Sequence, residues 1–166
     1  MKNAKEFLLS YARYNVWANK RIAAILDQLG DAILDQEVIS SFSSIRKTVF
    51  HVWDAEFIWL MRLQGKSLSK GPTSELPPGT HPSAGFVAGS EAMLSFIETQ
   101  PEEFFAQPNT YRNLRGEEFT SFHYEMIMHC MNHSTFHRGQ LVTLIRETGW
   151  TEKLPSTDMI AYFREQ

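Results

Sequence analysis

The sequence has one cysteine, little net charge and no long apolar run. Cys130 is the only cysteine among 166 residues, which excludes a disulfide within the chain and predicts a reducing, cytoplasmic location. The formal net charge is −3, so no basic field is present to attract nucleic acid. Apolar runs such as residues 57–61 are interrupted well before the roughly 20 residues that span a bilayer. We therefore expect a soluble protein with no nucleic-acid or membrane partner.

The length and the N-terminal pattern predict a single domain over residues 1–166. A chain of this size is typical of one ordinary domain. Residues 1–5 are followed by an amphipathic pattern and not by the apolar core of a signal peptide. The first predicted helix spans residues 4–29 and is ended by Gly30. Residues at three- and four-residue steps form its predicted inner face: Phe7, Tyr11, Tyr14, Ala18, Ile22, Ile25 and Leu29.

A second helix is predicted over residues 45–63, after the N-cap hydroxyls of residues 40–44. It is apolar almost all round, and it stops near Gly65. Pro72, Pro77, Pro78 and Pro82 forbid a continuous helix over residues 65–82, which predicts a long crossover loop. The most regular apolar stripe of this helix consists of Ile45, Val49, Val52, Glu56, Trp59 and Leu63.

A third helix is predicted over residues 83–100, because Pro101 ends the pattern. Its expected inward residues are Phe86, Met93, Phe96 and Ile97. Between this helix and the next, residues 111–119 around Gly116 are compatible with a small hairpin or an irregular loop.

The fourth helix has the clearest pattern, from about residue 121 to residue 148, with Gly149 beyond its last turn. A short fifth helix over residues 159–164 is capped by residues 156–158, and Ile160 and Phe163 are expected to dock on the bundle. Four amphipathic helices with one long crossover match an all-α four-helix bundle better than any sheet architecture.

The fourth helix carries the chemical signal of the chain. One narrow stripe contains Phe122, Met126, His129, His133, His137, Gln140 and Leu144. His133 and His137 stand at i and i+4, so their rings can converge on one metal ion. His129 and His137 are two turns apart, roughly 12 Å of helix, so one ion cannot bind both without distortion.

A third ligand has to come from another helix, and the second helix offers His51, Asp54 and Glu56. Periodicity does not choose among these three, and His51 lies well off the apolar stripe. His81, in the Pro-rich loop, and His123, near a helix start, are expected to be solvated or locally bonded and to stay outside the site.

Ser134 occupies the position where an H-E-x-x-H metalloprotease motif needs its glutamate base, so peptide hydrolysis of that type is not supported. Cys130 reads as a small buried residue and not as a nucleophile. The aromatic residues Tyr14, Trp17, Trp53 and Trp59 are interpreted either as walls of a substrate pocket or, more commonly at helical spacing, as core.

Four segments together resemble the DinB family of metal-binding four-helix bundles. They are residues 14–21 (YNVWANKR), 41–45 (SFSSI), 51–63, and 132–141, which contains the H-x-x-x-H-R-G-Q core. The combination spans the chain almost end to end. The resemblance implies an up-down-down-up bundle and a metal site built from His51, His133 and His137.

The resemblance also extends to thiol-dependent transferases and isomerases, and it implies a metal that activates a low-molecular-weight thiol toward a small electrophilic substrate. Zinc or nickel is the expected ion, and iron is also compatible with three imidazoles. Three neutral ligands leave an open coordination position. A stress-response metal-binding protein without turnover and a metal-dependent hydrolase are the alternatives. A DNA-binding role, suggested only by the damage-inducible family name, is opposed by the acidic balance.

The sequence does not decide the roles of the residues around the histidines. Arg138 and Gln140 are candidates to orient ligands or a carboxylate-bearing thiol, and Arg138 is equally compatible with a surface pair. Glu56 and Asn132 are candidates to hydrogen-bond the ligands from behind. The apolar excess on the first two helices predicts a homodimer through those helices.

Overall fold

The computed structural model describes residues 3–166, and most of them lie in helices. Met1 and Lys2, the start of the segment for which we expect no signal peptide, lie outside the described residues. The elements in chain order are α1 (Ala4–Leu26), α2 (Asp31–Leu34), α3 (Ile45–Leu63), α4 (Ser83–Thr99), β1 (Pro108–Arg112), β2 (Glu118–Phe122), α5 (His123–Glu147) and α6 (Met159–Arg164).

Helix α1 begins as predicted but ends earlier. Asn3 and Glu6 form a capping box that satisfies the first backbone N–H groups. The helix stops at Leu26, so the predicted end at residue 29 was wrong. Gly30 does not close α1. It has an extended backbone and stands at the N-cap of α2, and the turn between the two helices lets Leu29 pack in the same core cluster as Leu26.

The buried face of α1 also differs from the prediction near its start. Phe7 was expected to point inward, but 56% of it is exposed, and Leu8 is buried instead. The reason is that α1 packs against both α4 and α5, so its buried surface is wider than one stripe. That wider surface includes two polar residues, Asn15 and Asn19, which are almost fully buried.

Helix α3 has the predicted bounds because both of its ends are determined locally. The hydroxyl of Ser44 accepts a hydrogen bond from the backbone N–H of Lys47 (3.2 Å). After the helix, Gly65 adopts φ of 75°, a conformation that favours glycine. The connection over residues 64–82 contains only a short 3₁₀ turn, Pro72–Glu75.

Helix α4 ends one residue earlier than predicted, at Thr99. Its inner face contains Phe86, Met93 and Ile97 as expected, whereas Phe96 is only partly buried.

The hairpin interpretation of the segment before α5 is confirmed. Strands β1 and β2 pair antiparallel, and Gly116, with φ of 82°, lies in the turn. Because the pairing continues to Phe122, α5 begins at His123 and not at residue 121. Phe122 was expected on the inner stripe, but it is 42% exposed.

Helix α5 ends at Glu147, and α6 has the predicted bounds. The predicted docking residues of α6 were wrong, since Ile160 is 56% exposed and Phe163 is 46% exposed. Tyr162 is the buried residue of α6, and it packs edge-on against Tyr14 with ring centroids 6.0 Å apart.

Side-chain contacts show how the four long helices run. The ion pairs Arg13–Glu98 and Lys20–Glu91 make α1 and α4 antiparallel. Contacts between His51 and His133 and between Trp59 and His129 make α3 and α5 antiparallel.

Helices α1 and α5 run parallel, because their early residues share one core cluster and their late residues share another. The bundle is therefore up-down-down-up, as the resemblance implied. Among residues 3–166, no helix combines the length and the apolarity needed to cross a bilayer.

Candidate metal centre

Three histidine side chains from two helices converge at one edge of the bundle. His51 comes from α3, and His133 and His137 come from α5. The Nε2 atom of His133 lies 2.9 Å from that of His51 and 3.1 Å from that of His137. One ligand atom of each residue lies within 4.8 Å of the others, so this cluster could hold a metal ion. Of the three candidates on the second predicted helix, the structure brings His51 to the α5 pair.

The position of His51 explains why helical periodicity argued against it. Most of the regular stripe of α3 faces the core, whereas His51 lies on the flank of the helix that faces α5. Its ring stacks on Phe42 with a centroid separation of 4.1 Å, and Phe42 also packs edge-on against His137 at 5.8 Å. The cluster therefore lies between core and surface, where packing holds the three rings in place and the cluster stays partly accessible.

Gln140 orients His137 from one turn further along α5. The distance from His137 Nδ1 to Gln140 Oε1 is 2.7 Å. With the amide oxygen accepting, Nδ1 carries the proton and Nε2 presents its lone pair to the cluster. A metal-ligating histidine commonly has its other ring nitrogen held in this way. Gln140 is therefore placed to orient the ring of His137.

Burial makes all three imidazoles poor bases. The pKa of His133 falls to about 3, first because of burial and then because of its histidine neighbours. The pKa of His51 falls to about 4 for the same two reasons, although Asp54 opposes the shift. Burial also lowers the pKa of His137, against the effect of Gln140. The imidazoles are thus neutral at pH 7, which is the form that binds metals.

The donor set fits a divalent cation. Tetrahedral ligands at zinc–nitrogen distances near 2.1 Å are about 3.4 Å from one another, and the two short Nε2–Nε2 distances are only slightly less. His133 Nδ1 is buried without a partner, so the ring makes its polar contacts through Nε2. Three nitrogen atoms that converge at these distances, on imidazole rings that are neutral, are compatible with a shared cation.

A buried polar network lies behind the cluster and joins three helices. Glu56 is fully buried. Its Oε1 accepts hydrogen bonds from Ser134 Oγ (2.6 Å), Asn15 Nδ2 (2.8 Å) and Asn19 Nδ2 (3.2 Å). Burial raises the pKa of Glu56, while these bonds and the charge of Arg138 act in the opposite direction. Ser134, in place of a catalytic glutamate, therefore ties α5 to Glu56.

Arg138 belongs to this network, and the interpretation of it as a surface pair was wrong. It is 1% exposed, so it is not a surface residue. Its guanidinium donates to the amide oxygens of Asn15 and Asn19 and, at 2.8 Å, to Thr135 Oγ1. Both terminal nitrogens of Arg138 are engaged there, its Nε atom is buried, and the residue does not line the cavity beside His51 and His133; Arg138 therefore joins α5 to α1.

The other histidines lie outside the cluster, as predicted. His129 packs edge-on against Trp59 (4.9 Å). His81 lies 3.0 Å from Ser83 Oγ. His123 is buried, with Nδ1 2.8 Å from the carbonyl oxygen of Phe104. Asn132, considered as a supporting residue, is exposed.

A cavity of about 270 Å³ opens beside His51 and His133. Among the aromatic candidates, Trp59 lines it. Trp53 instead packs over Gly85, where a Cβ would collide with its ring. Tyr14 and Trp17 pack with α6, and Cys130 is buried as expected.

Further cavity residues, among them Arg62 and Leu114, were not singled out in the sequence. Arg62 had a detectable signal, because residues 51, 55, 58 and 62 recur at helical spacing on one face of α3. Leu114 comes from the hairpin turn, where no periodic signal exists.

Comparisons with known proteins agree with this fold. The family model described as DinB family matches residues 1–166. Protein DinB of Bacillus subtilis (strain 168) is 28% identical over 153 residues, which cover 87% of this chain and 88% of that protein.

Two solved structures are similar to this chain. One is a DinB-like protein from Bacillus cereus ATCC 10987, with a TM-score of 0.65 and 20% identity over 91% of this chain and 95% of that one. The other is a DinB-like protein from Bacillus subtilis, with a TM-score of 0.67 and 16% identity over 91% of this chain and 97% of that one. At these identities the likeness shows the fold alone.

Proposed function

The chain belongs to the DinB family, and from this premise we propose that it is a metal-dependent enzyme that transfers a low-molecular-weight thiol to a small electrophile. The observation that carries the proposal is the convergence of three neutral imidazoles beside a cavity. Three protein ligands leave one coordination position for a reactant, which is the pattern of a catalytic site and not of a closed structural site.

Each residue of the cluster has a defined part in this proposal. His51, His133 and His137 hold the ion, and Gln140 keeps the Nε2 atom of His137 free of its proton. When bound, a divalent ion would supply a Lewis acid that lowers the pKa of a coordinated thiol, so that the thiol would lose its proton to solvent near neutral pH. Trp59 and Ile58 give the cavity apolar walls that exclude water from one side of the reactants.

The expected ion is zinc or nickel, and iron also fits. Imidazole binds all three, so geometry and availability in the cell decide among them. The neutral ligands leave the full charge of the ion to act on the thiol.

A second candidate function is a metal-binding protein of the stress response that has no turnover. The specific observation in its favour is that the ligands come from α3 and α5, so a bound ion would tie these two helices together. A hydrolase is the remaining alternative. It would need a base for water, and Ser134, which is bonded to Glu56, does not provide one.

A conjugation assay separates these candidates. The zinc- or nickel-loaded protein is mixed with cysteine or glutathione and monobromobimane, and product formation is measured against the rate without protein. His133→Ala should lose the rate enhancement, whereas His81→Ala, which removes a histidine outside the cluster, should keep it. Metal binding without any rate enhancement would favour the second candidate, and hydrolysis of an activated ester that depends on His133 would favour the third.

The partners remain predictions: a small-molecule substrate, no nucleic acid, no membrane and a second copy of the chain. The homodimer was predicted through the first two long helices, α1 and α3. The large exposed apolar residues found there are Phe7 of α1 and, on the neighbouring helix α6, Met159, Ile160 and Phe163. Light scattering coupled to size exclusion tests the homodimer, and a monomer at high concentration would contradict it. The cytoplasmic location is likewise a prediction.

A further inference from the structure

Arg62 is a buried cation that has no anionic partner in the part of the chain that the structure describes. It lies at the C-terminal end of α3 and is 6% exposed. Its Nε atom is buried with no hydrogen-bond partner, and none of the ion pairs found within residues 3–166 includes it. Its guanidinium is instead placed over two aromatic rings, 4.5 Å from the centroid of Trp59 and 5.0 Å from that of Tyr111.

The other two buried arginines both donate hydrogen bonds to side chains, although among residues 3–166 the Nε atom of Arg138, like that of Arg62, finds no partner. Arg46, also 6% exposed, pairs with Asp31 at 2.6 Å and with Asp35 at 2.7 Å. Arg138 donates to three side chains of the polar network. Arg62 therefore differs from them in that, within residues 3–166, no side chain accepts a hydrogen bond from it and no carboxylate pairs with it.

An unpaired buried charge is costly, so its presence needs a reason. Removing a guanidinium from water without a counter-charge is unfavourable, and stacking on aromatic rings recovers only part of that loss. A site that binds an anion explains the arrangement, because a carboxylate would supply the missing partner through two parallel hydrogen bonds.

Arg62 lines the same cavity as the histidines. Along α3, the cavity-lining residues His51, Ala55, Ile58 and Arg62 follow one helix face. Asp54 is the acidic residue of the cavity, and it is occupied by Thr73, which donates to it through its backbone N–H (2.9 Å) and its hydroxyl (2.6 Å). Asp54 is therefore not the counter-ion of Arg62.

We propose that Arg62 binds a carboxylate of an elongated ligand whose reacting group lies at His51, His133 and His137. The proposal rests on the proposed function and specifies the substrate class: at least one reactant is a carboxylate. Residues 51 and 62 are eleven positions apart, or about 16 Å of helix rise, and the Arg62 side chain leans back toward the start of the helix. The ligand is then about as long as an extended peptide of three to four residues.

The test uses the cobalt-loaded protein, because a thiolate bound to cobalt gives a charge-transfer absorption band. Glutathione and glutathione diethyl ester are titrated separately, and the band reports the binding of each thiol at the ion. Maleate and dimethyl maleate, which carry no thiol, are titrated by calorimetry. The two arms distinguish a carboxylate on the thiol from a carboxylate on the electrophile.

Each titration compares the parent with Arg62→Met, Arg62→Lys and Arg112→Met. Arg112→Met removes the same charge from an exposed ion pair with Glu118, so it controls for long-range electrostatics. In the parent we expect the acid to bind at least tenfold more tightly than its ester in one of the two arms. Arg62→Met should abolish that preference and leave ester binding unchanged, and Arg62→Lys should retain part of it.

The outcomes separate this proposal from the proposed function. A preference for acids in neither arm, or a preference that survives in Arg62→Met, would overturn the role of Arg62. If no thiol gives the cobalt band, the thiol-transferase proposal fails. In that case an Arg62-dependent affinity for maleate would still support the carboxylate site.

Discussion

The buried network around Arg138 allows a stability prediction with a worked magnitude. Arg138→Met keeps most of the side-chain volume but removes every donor. The amide oxygens of Asn15 and Asn19, two almost fully buried residues, then lose the guanidinium bonds. Each buried acceptor left unsatisfied costs about 1–3 kcal/mol. The carboxyl of Glu56 also loses the nearby positive charge that lowers its pKa.

Together these losses predict that Arg138→Met lowers the free energy of unfolding by roughly 3–5 kcal/mol, the range found when one member of a buried charged network is removed. For a chain of this size the melting temperature should fall by about 10 °C. Urea denaturation of the metal-free protein at pH 7, followed by far-ultraviolet circular dichroism, measures the change.

The matched control is Arg13→Met, which breaks an exposed ion pair with Glu98 and should cost less than about 1 kcal/mol. The double variant with Glu56→Gln should lose less than the sum of the single changes, because the two residues share one network. If Arg138→Met is within about 1 kcal/mol of the parent, the network does not stabilise the bundle as described.

Three further predictions concern the site. The low pKa values of His133 and His51 mean that, below about pH 6.5, the unfolded chain binds more protons at these two residues than the folded chain does. The stability that the two neutral imidazoles contribute to the metal-free protein should therefore be fully present above that pH and be lost from there toward pH 3. A flat urea midpoint from pH 7 to pH 4.5 would contradict this. Gln140→Leu should weaken zinc binding about 10–100-fold without changing the circular dichroism spectrum, whereas unchanged affinity in a chelator competition would show that Gln140 does not orient His137. Arg62→Met should keep or raise the melting temperature, because it removes an unpaired buried charge, and a fall of several degrees in calorimetry would indicate a structural role.

An element was predicted well from the sequence when the residues that begin and end it lie in the same segment of the chain. Helix α3 begins at the hydroxyl cap of Ser44 and ends before Gly65, and both signals lie within the chain segment itself. The start of α5 was placed wrongly because strand pairing carries β2 through Phe122, and pairing partners are not visible in a single segment. The inner face of α1 was misplaced at Phe7 because the width of a buried face depends on how many helices pack against it.

The residues of the candidate site also differ in whether a signal within one segment of the sequence indicates them. The spacing of His133 and His137 indicated a ligand pair directly. His51 came only from the family resemblance, since periodicity marks residues that face the core and this cluster lies at its edge. The partners of Arg138, and the lack of one at Arg62, depend on contacts between residues distant in sequence, so neither could be anticipated.

The central claim is that His51, His133 and His137 bind a divalent metal ion, and elemental analysis tests it most directly. The protein is purified without exposure to an immobilised-metal column, and metal per chain is measured in the parent, His133→Ala and His81→Ala. We expect near-stoichiometric metal in the parent and in His81→Ala, and almost none in His133→Ala. Absence of metal from the parent, even after incubation with zinc or nickel and desalting, or equal metal in His133→Ala, would contradict the claim.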